Sequence, residues 1–188
     1  PVPGLDVKLI SLETGKEALM DGRDMGEILV RGPWIAGEYY KNPQQSAVTF
    51  KDGWFHTGDI GIMNPEGYLT LVDRTKDLIK SAGEWISSID LENAIMGFSG
   101  VLEAAVISLP DVKWQERPLA CVVLRPESAG AVTGEDIQAY LKDKVAKWWI
   151  PDEIVFLQEL PKTSVGKFDK KKLRATVLPE VLKKREQA

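Results

Sequence analysis

The chain has 188 residues, of which 44 % are hydrophobic and 28 % charged, with a formal net charge of −4. This is ordinary globular composition, long enough for one sizeable domain or two small ones. A single cysteine, Cys121, excludes an internal disulfide, and one cysteine with one histidine argues against a metal site built from those ligands.

Residues 1–73 carry a β pattern. "LDVKLI" (5–10) alternates, "GEILVRG" (26–32) is a short run bounded by glycines, and "GYLTLVD" (67–73) alternates again. The turn signals "ETGKE", "DGRDMG", "KDGW" and "NPEG" lie between them. Short strands with frequent turns predict a small barrel or sandwich, or part of one. "HTGDIG" (56–61) places Asp59 after a Thr-Gly turn at a strand start. A carboxylate presented from a tight turn can accept two hydrogen bonds from a vicinal diol such as a ribose, and it can equally bond its own backbone. In "DRTKDLIK" (73–80), Arg74, Lys76 and Lys80 are evenly spaced, so on a strand they would share one face and gather positive charge. "LVDRTKDLIKSAGEW" contains charge and no flexible linker, which fits either a hinge or a salt-bridged hairpin.

From residue 84 strands and helices alternate. "SSIDLENAIMGFSG" has serine cap candidates at 87–88, apolar residues at 89, 91, 94, 95 and 98 and a glycine stop, so a short amphipathic helix is predicted. "VLEAAVISL" (101–109) and "PLACVVLR" (118–125) are rich in β-branched residues and look like buried strands. "TGEDIQAYLKDKVAKW" opens with Thr133 three residues before Asp136, a capping-box arrangement, and continues as a helix. "EIVFLQEL" (153–160) is a third strand, and "FDKKKLRATVLPEVLKKREQ" a terminal helix interrupted at Pro179. The six tryptophans read as core or domain-interface packing, with Trp85 the one expected to touch ligand.

Charge is unevenly spread. Residues 161–188 hold nine Lys/Arg against three Asp/Glu, a local +6 that leaves −10 on residues 1–160. A basic end on an acidic body suggests an anionic partner met at one place, or a solvated helix end. Nucleic-acid binding does not fit, because no basic and aromatic residues interleave. "PKTSVGK" (161–167) lacks the glycine spacing of a Walker loop. Its Lys167, next to Gly166 on a loop, can still neutralise charge developing on a phosphoryl or carboxylate oxygen. The cations from Lys170 to Arg174 are candidates for attracting phosphates.

"GEILVRGPWIAGEYYKNP", "DGWFHTGDIG", "GYLTLVDRTKDLIKSAGEWISSIDLENAI" and "LPKTSVGKFDKKKLR" occur in that order. Together they resemble the C-terminal portion of the adenylate-forming (AMP-binding) enzymes, the superfamily of acyl-CoA synthetases, luciferases and the adenylation domains of peptide synthetases. The resemblance spans about residues 26–175. "KSAGEWISSIDLENA" and "VAKWWIPDEI" are most similar to the medium- and long-chain fatty acid–CoA ligases. Related members often carry glycine where this chain has Ala82.

The resemblance implies an α+β chain. Residues 1–73 would end a large N-terminal domain, as part of a distorted β-barrel subdomain. Residues 74–83 would form a hinge and hairpin, and residues 84–188 a mobile α+β domain with a three-stranded sheet and flanking helices. It also implies a two-step ligase. A fatty acid and ATP would give acyl-AMP, and after a domain rotation the acyl group would pass to the thiol of coenzyme A. Lys167 would be the catalytic adenylation lysine. Asp59 would bind the ribose hydroxyls of the nucleotide, and Arg74 the same sugar or the phosphate. Lys76 would be the hinge, and Ala82, Gly83, Glu84 and Trp85 would line the pantetheine tunnel, with Lys80 and Gly166 in secondary roles. A small residue in that tunnel lets backbone and thiol approach closely.

The implied cofactors are ATP/AMP, coenzyme A and Mg2+, the last with its ligands expected in a preceding N-terminal part. The family's Ser/Thr/Gly-rich phosphate loop is not among residues 1–188, and the chain starts at Pro1 without an initiator methionine. A piece of a longer enzyme, inactive by itself, is therefore expected. Partners are the small-molecule substrates, with no nucleic acid; a homodimer and peripheral membrane contact stay open. No apolar run reaches the roughly 18–20 residues of a membrane span, and no basic-then-apolar leader opens the chain, so the expected compartment is the cytoplasm. The alternatives are an adenylation module that loads a carrier protein and a non-catalytic interaction domain that keeps the fold.

Overall fold

Strand alternation, turn chemistry and one change of period shape the computed structural model, which describes residues 3–187. It divides into two units, one ending at Lys76 and the other beginning at Asp77.

The first unit is an antiparallel sheet that curls into a half-barrel. Its elements are β1 (Asp6–Ser11), β2 (Gly26–Arg31), α1 (Pro43–Thr49), β3 (Phe50–Lys51), β4 (Trp54–Met63) and β5 (Leu69–Arg74). The order is β1-β2-β4, and β3 and β5 share the far edge of β4. Alternation sends Leu9 and Ser11 of β1 inward, where they join Ile28, Leu29, Ile60 and Val72 in a small core. Asp52 and Gly53 have φ of +53° and +77° between β3 and β4, the left-handed pair that a two-residue hairpin needs. Helix α1 was not expected. It is opened by Asn42, whose side chain accepts from the Gln45 N–H, with Pro43 at the first helical position.

The second unit contains β6 (Ile79–Ser81), β7 (Glu84–Ile86), α2 (Ser88–Met96), β8 (Val101–Asp111), β9 (Gln115–Leu124), α3 (Gly134–Leu141), β10 (Glu153–Phe156) and α4 (Lys170–Glu186). The expected three strands form the centre. β8 and β9 make a long antiparallel hairpin, and β10 runs parallel to β9 with Glu153 opposite Leu119. The β6–β7 hairpin joins at Ser81 opposite Gln115, which makes five strands in all.

Both faces of this sheet are covered, so β8 and β9 are apolar along nearly their whole length. Ala104, Val106, Ala120 and Val122 face α2 and α3, packing on Leu91, Ile95, Ile137 and Leu141. The alternate residues Ala105, Ile107, Leu119 and Cys121 face α4 and its stripe of Leu173, Val177 and Val181. Burial pushes the Cys121 thiol up to about 12, so it is a small apolar filler rather than a nucleophile.

The caps follow the sequence. Ser87 accepts from the Asp90 N–H, and Thr133 and Asp136 form the capping box. Three expectations are corrected. Helix α4 is not interrupted at Pro179 but runs to Glu186, because buried Val177 and Val181 hold the turns on both sides of the proline against the sheet. Helix α3 ends at Leu141 rather than near Trp149, since the chain leaves the helix to bring the Trp148 and Ile150 carbonyls to Arg117. Of the six tryptophans only Trp149 packs against a core cluster, half-buried, and Trp34 is 72 % exposed.

Arg117 is the polar hub of the second unit. Its Nε and Nη2 donate to the two carboxylate oxygens of Asp152, each at 2.8 Å. Its Nη1 donates to Ser81 Oγ at 3.2 Å and to the Trp148 carbonyl at 2.6 Å, while Nη2 reaches the Ile150 carbonyl at 2.9 Å. These bonds use the whole donor set of a guanidinium, and the bonded Asp152 carboxylate holds Arg117 above its ordinary pKa. Arg117→Ala therefore destabilises the protein by about 3 kcal/mol, the scale of breaking a largely buried pair. Urea unfolding followed by tryptophan fluorescence reads this directly. A loss below about 1 kcal/mol would mean that water satisfies the abandoned carbonyls.

Candidate functional site

In the first unit, the chemistry-bearing residues gather on a bulge in β4. Glu27 pairs with Ile60 and Leu29 with His56, so β4 spans Thr57, Gly58 and Asp59 where β2 spans only Ile28. Such a bulge re-aims a side chain. Gly58 takes φ +70°, a left-handed conformation that favours glycine. The bulged backbone is tied on every side. Thr57 Oγ1 donates to the Ile28 carbonyl at 2.8 Å and accepts from the Asp59 N–H at 3.0 Å. The Gly58 carbonyl accepts from the Thr75 N–H at 2.9 Å and from Thr75 Oγ1 at 3.2 Å.

Across the β4–β5 ladder Asp59 faces Arg74, whose Nε donates to Asp59 Oδ1 at 2.8 Å. The other oxygen, Oδ2, has no hydrogen-bond partner among the described residues, so a half-exposed carboxylate is oriented by an arginine and left with one acceptor open. Arg74, Lys76 and Lys80 do not share a strand face. Arg74 ends β5, Lys76 is an exposed turn residue closing the first unit, and Lys80 belongs to β6 in the second. A turn over residues 75–77 breaks the even spacing.

In the second unit, Ala82 and Gly83 connect β6 and β7 as a two-residue turn with φ of +53° and +89°. Both central residues of this hairpin type need positive φ, which explains the glycine and makes Ala82 the strained position. A Cβ placed on Gly83 would meet nothing within 4 Å, so the turn projects into open space. Behind it, the Ala82 N–H donates to the Trp114 carbonyl at 2.9 Å. Lys80 and Trp85 are cross-strand partners, with the ammonium 4.8 Å from the ring centroid, a cation–π distance. Glu84 and Trp85 also line an open cleft of about 500 Å³ with Lys144, Trp148 and Trp149.

The loop carrying Lys167 has a fixed backbone. The Thr163 N–H donates to the Lys167 carbonyl at 2.8 Å, the Gly166 N–H donates to the Thr163 carbonyl at 2.9 Å, and Lys162 bridges Phe168. Gly166 takes φ +81° at the tip. Lys167 itself is exposed, and among the described residues nothing pairs with its amine. The cations that follow behave differently. Lys170 Nζ reaches Glu92 Oε1 and Ser88 Oγ, both at 2.6 Å, and Arg174 reaches Asp77 Oδ1 at 2.6 Å. These pairs are mostly buried and fasten α4 to α2 and to the start of the unit, so Lys170 and Arg174 are structural and not part of a phosphate-attracting cluster.

Glu27, His56, Thr57, Thr75 and Arg117 support these sites without having been candidates. Their partners lie 17 to 36 residues away in sequence, which no local motif displays. The strain at Ala82 is testable. Ala82→Gly should raise stability by about 0.5–1 kcal/mol, because the left-handed cost removed, roughly 1–2 kcal/mol, exceeds the entropy that glycine adds, roughly 0.5–1 kcal/mol. Ala82→Val should lower it. Thermal denaturation of the two variants against the parent decides the matter.

Residues 90–167 match the AMP-binding enzyme C-terminal domain. The chain is 51 % identical over 178 residues to a long-chain-fatty-acid–CoA ligase of Thermus thermophilus, covering 91 % of this chain and 32 % of the relative. It is 40 % identical over 174 residues to a medium-chain-fatty-acid–CoA ligase of Ectopseudomonas oleovorans, covering 93 % of this chain and 31 % of that protein. It superposes with a TM-score of 0.79 on the o-succinylbenzoate CoA synthetase of Bacillus subtilis in complex with its acyl-adenylate intermediate. That structure is 31 % identical, and the match covers 94 % of this chain and 34 % of the synthetase. The chain thus spans about a third of the length of the relatives it matches. Motif order, fold and these matches agree: the chain belongs to the adenylate-forming, AMP-binding enzymes, and residues 90–167 are their C-terminal domain.

Proposed function

We propose that this chain is the nucleotide-facing and lysine-bearing part of an ATP-dependent fatty acid–CoA ligase. The intact protein joins a fatty acid to ATP, giving an acyl-adenylate and pyrophosphate, and then passes the acyl group to the thiol of coenzyme A. One observation carries the reading. A carboxylate with an open oxygen, Asp59, stands on one unit, and an exposed, unpaired amine, Lys167, stands on the other.

Asp59 Oδ2 is free to accept from the ribose hydroxyls of a nucleotide, while Arg74 holds Oδ1 and orients the carboxylate. Lys167 lies against the carboxylate and α-phosphate oxygens during adenylation, and its service is electrostatic. Gly166 gives its loop the left-handed tip that projects the side chain.

Lys76 is the pivot. On one side Thr75 is tied to Gly58, and on the other Asp77 is held by Arg174. Lys76 is thus the residue between two anchored neighbours, the place a hinge would take. For thioester formation, the open Ala82–Gly83 turn admits the pantetheine thiol, with Glu84 and Trp85 beside it and Lys80 supporting the Trp85 ring.

Among the described residues no group of three or more His, Cys, Asp or Glu could hold a metal ion. Among the described residues no helix is long and apolar enough to cross a membrane. A reducing compartment, the cytoplasm, suits one buried and unpaired cysteine.

In the intact protein, Lys167→Ala should slow acid-dependent pyrophosphate exchange about 10²–10³-fold, the usual worth of one placed donor. Thioester formation from supplied acyl-adenylate should stay within about threefold. Equal losses in both half-reactions would remove Lys167 from its assigned step. The 188-residue chain by itself, given ATP, fatty acid and CoA, should yield no thioester by mass spectrometry, since no phosphate loop lies within it. Turnover by that chain would count against the proposed division of labour.

A further inference from the structure

We infer that Glu27 is a positioning residue for the nucleotide-binding carboxylate Asp59, acting through the Gly58 peptide and steadied by His56. The inference rests on the reading of Asp59 as the ribose acceptor. The bulge in β4 removes Gly58 from the ladder to β2, because Ile28 alone faces residues 57–59. Its N–H would otherwise lack an acceptor at a half-buried position, and a lost partner there costs free energy. Glu27, the last β2 residue in register before the bulge, fills the gap: its Oε1 accepts from the Gly58 N–H at 3.3 Å. Its other oxygen, Oε2, lies 2.9 Å from His56 Nδ1, and the two side chains are about one-quarter exposed.

A single carboxylate thus clamps the residue before the bulge and the glycine inside it. The clamp matters because Gly58 has no side chain to restrict its peptide, and Asp59 is the next residue. Thr57 holds the Asp59 N–H and Thr75 holds the Gly58 carbonyl, which leaves the Thr57–Gly58 peptide fixed on its N–H side by Glu27 alone among the described residues. Without that bond the φ of Gly58 is less restrained, and with it the angle at which Asp59 leaves the bulge towards Arg74. An aspartate at position 27 is one methylene too short to reach both partners. A glutamine retains an oxygen for the Gly58 N–H and offers an amide N–H to His56 Nδ1, which accepts it when the ring proton sits on Nε2.

The test titrates AMP into the intact protein by calorimetry and measures substrate KM values in pyrophosphate exchange and thioester formation. Glu27→Ala and Glu27→Asp are expected to weaken AMP binding about tenfold and to raise the KM for ATP similarly. The KM values for fatty acid and CoA should not move, whereas a loss of general stability would disturb all of them. Glu27→Gln should recover AMP affinity to within about threefold of the parent. Asp59→Ala separates this inference from the reading beneath it. Unchanged AMP affinity in Asp59→Ala would overturn the ribose assignment itself. AMP affinity lost in Asp59→Ala but kept in both Glu27→Ala and Glu27→Asp would overturn the positioning role alone. If Glu27→Ala does not fold, the contrast between Glu27→Asp and Glu27→Gln decides: equal AMP affinity in those two overturns the inference.

Discussion

A charge removed from water must be paired, and that constraint sorts the cations of this chain into those that build it and those left exposed to water. Arg117, Lys170 and Arg174 are drawn into the second unit because Asp152, Glu92 and Asp77 meet them at 2.6–2.8 Å. Glu92 in turn accepts the Val106 N–H at 2.8 Å, so the Lys170 pair also ties α2 to the edge of β8. Lys167 sits three residues before Lys170 and has no such partner among the described residues. The basic segment is therefore not a uniform patch. Its helix cations Lys170 and Arg174 are committed to structure, whereas Lys167 on the loop is exposed.

The same economy of freedom governs the backbone. Each proposed ligand-facing residue stands beside a left-handed residue whose neighbours are hydrogen-bonded: Asp59 after Gly58, Lys167 after Gly166, and Glu84 after Gly83. A left-handed glycine turns the chain sharply at no steric cost, which lets the next side chain leave the surface at an angle a regular strand would not give. Mobility is kept out of these turns by bonds such as Thr163 N–H to the Lys167 carbonyl at 2.8 Å. What moves at such a tip is the side chain. For Lys167 this means four rotatable bonds on a fixed base, enough to reach a phosphate and still return to water.

Where the pattern was local, the sequence displayed it. The alternation in "LDVKLI", the Ser87 and Thr133 caps and the apolar runs of β8 and β9 each become the expected element. Motif order carried the rest of the reading, since "HTGDIG" and "PKTSVGK" are individually weak. The failures have separate physical causes. Strand β4 was obscured because the Thr57–Gly58–Asp59 bulge breaks the two-residue period in its middle. Helix α1 was overlooked although Asn42 and Pro43 form a readable start signal. Pro179 was given too much weight, since local propensity yields when flanking residues such as Val177 and Val181 are buried. The roles of Lys170 and Arg174 could not be read at all, because their partners lie 82 and 97 residues away.

Those long-range pairs also bear on how a hinge can be confined to one residue. Asp77 is buried and bonded to Arg174, and the following Leu78 and Ile79 are buried as well, so the second unit is anchored from its first residue. Thr75 is bonded twice to Gly58, so the first unit is anchored almost to its last. Lys76, the proposed pivot, lies between these anchors. A connection of several glycines would add backbone freedom at this point, whereas a single residue contributes only its own φ and ψ. In the proposed reaction this restriction is useful, because two half-reactions call for two defined positions of the lysine loop and the Ala82–Gly83 turn. The Arg174–Asp77 pair thereby ties α4 to the residue that follows the proposed pivot.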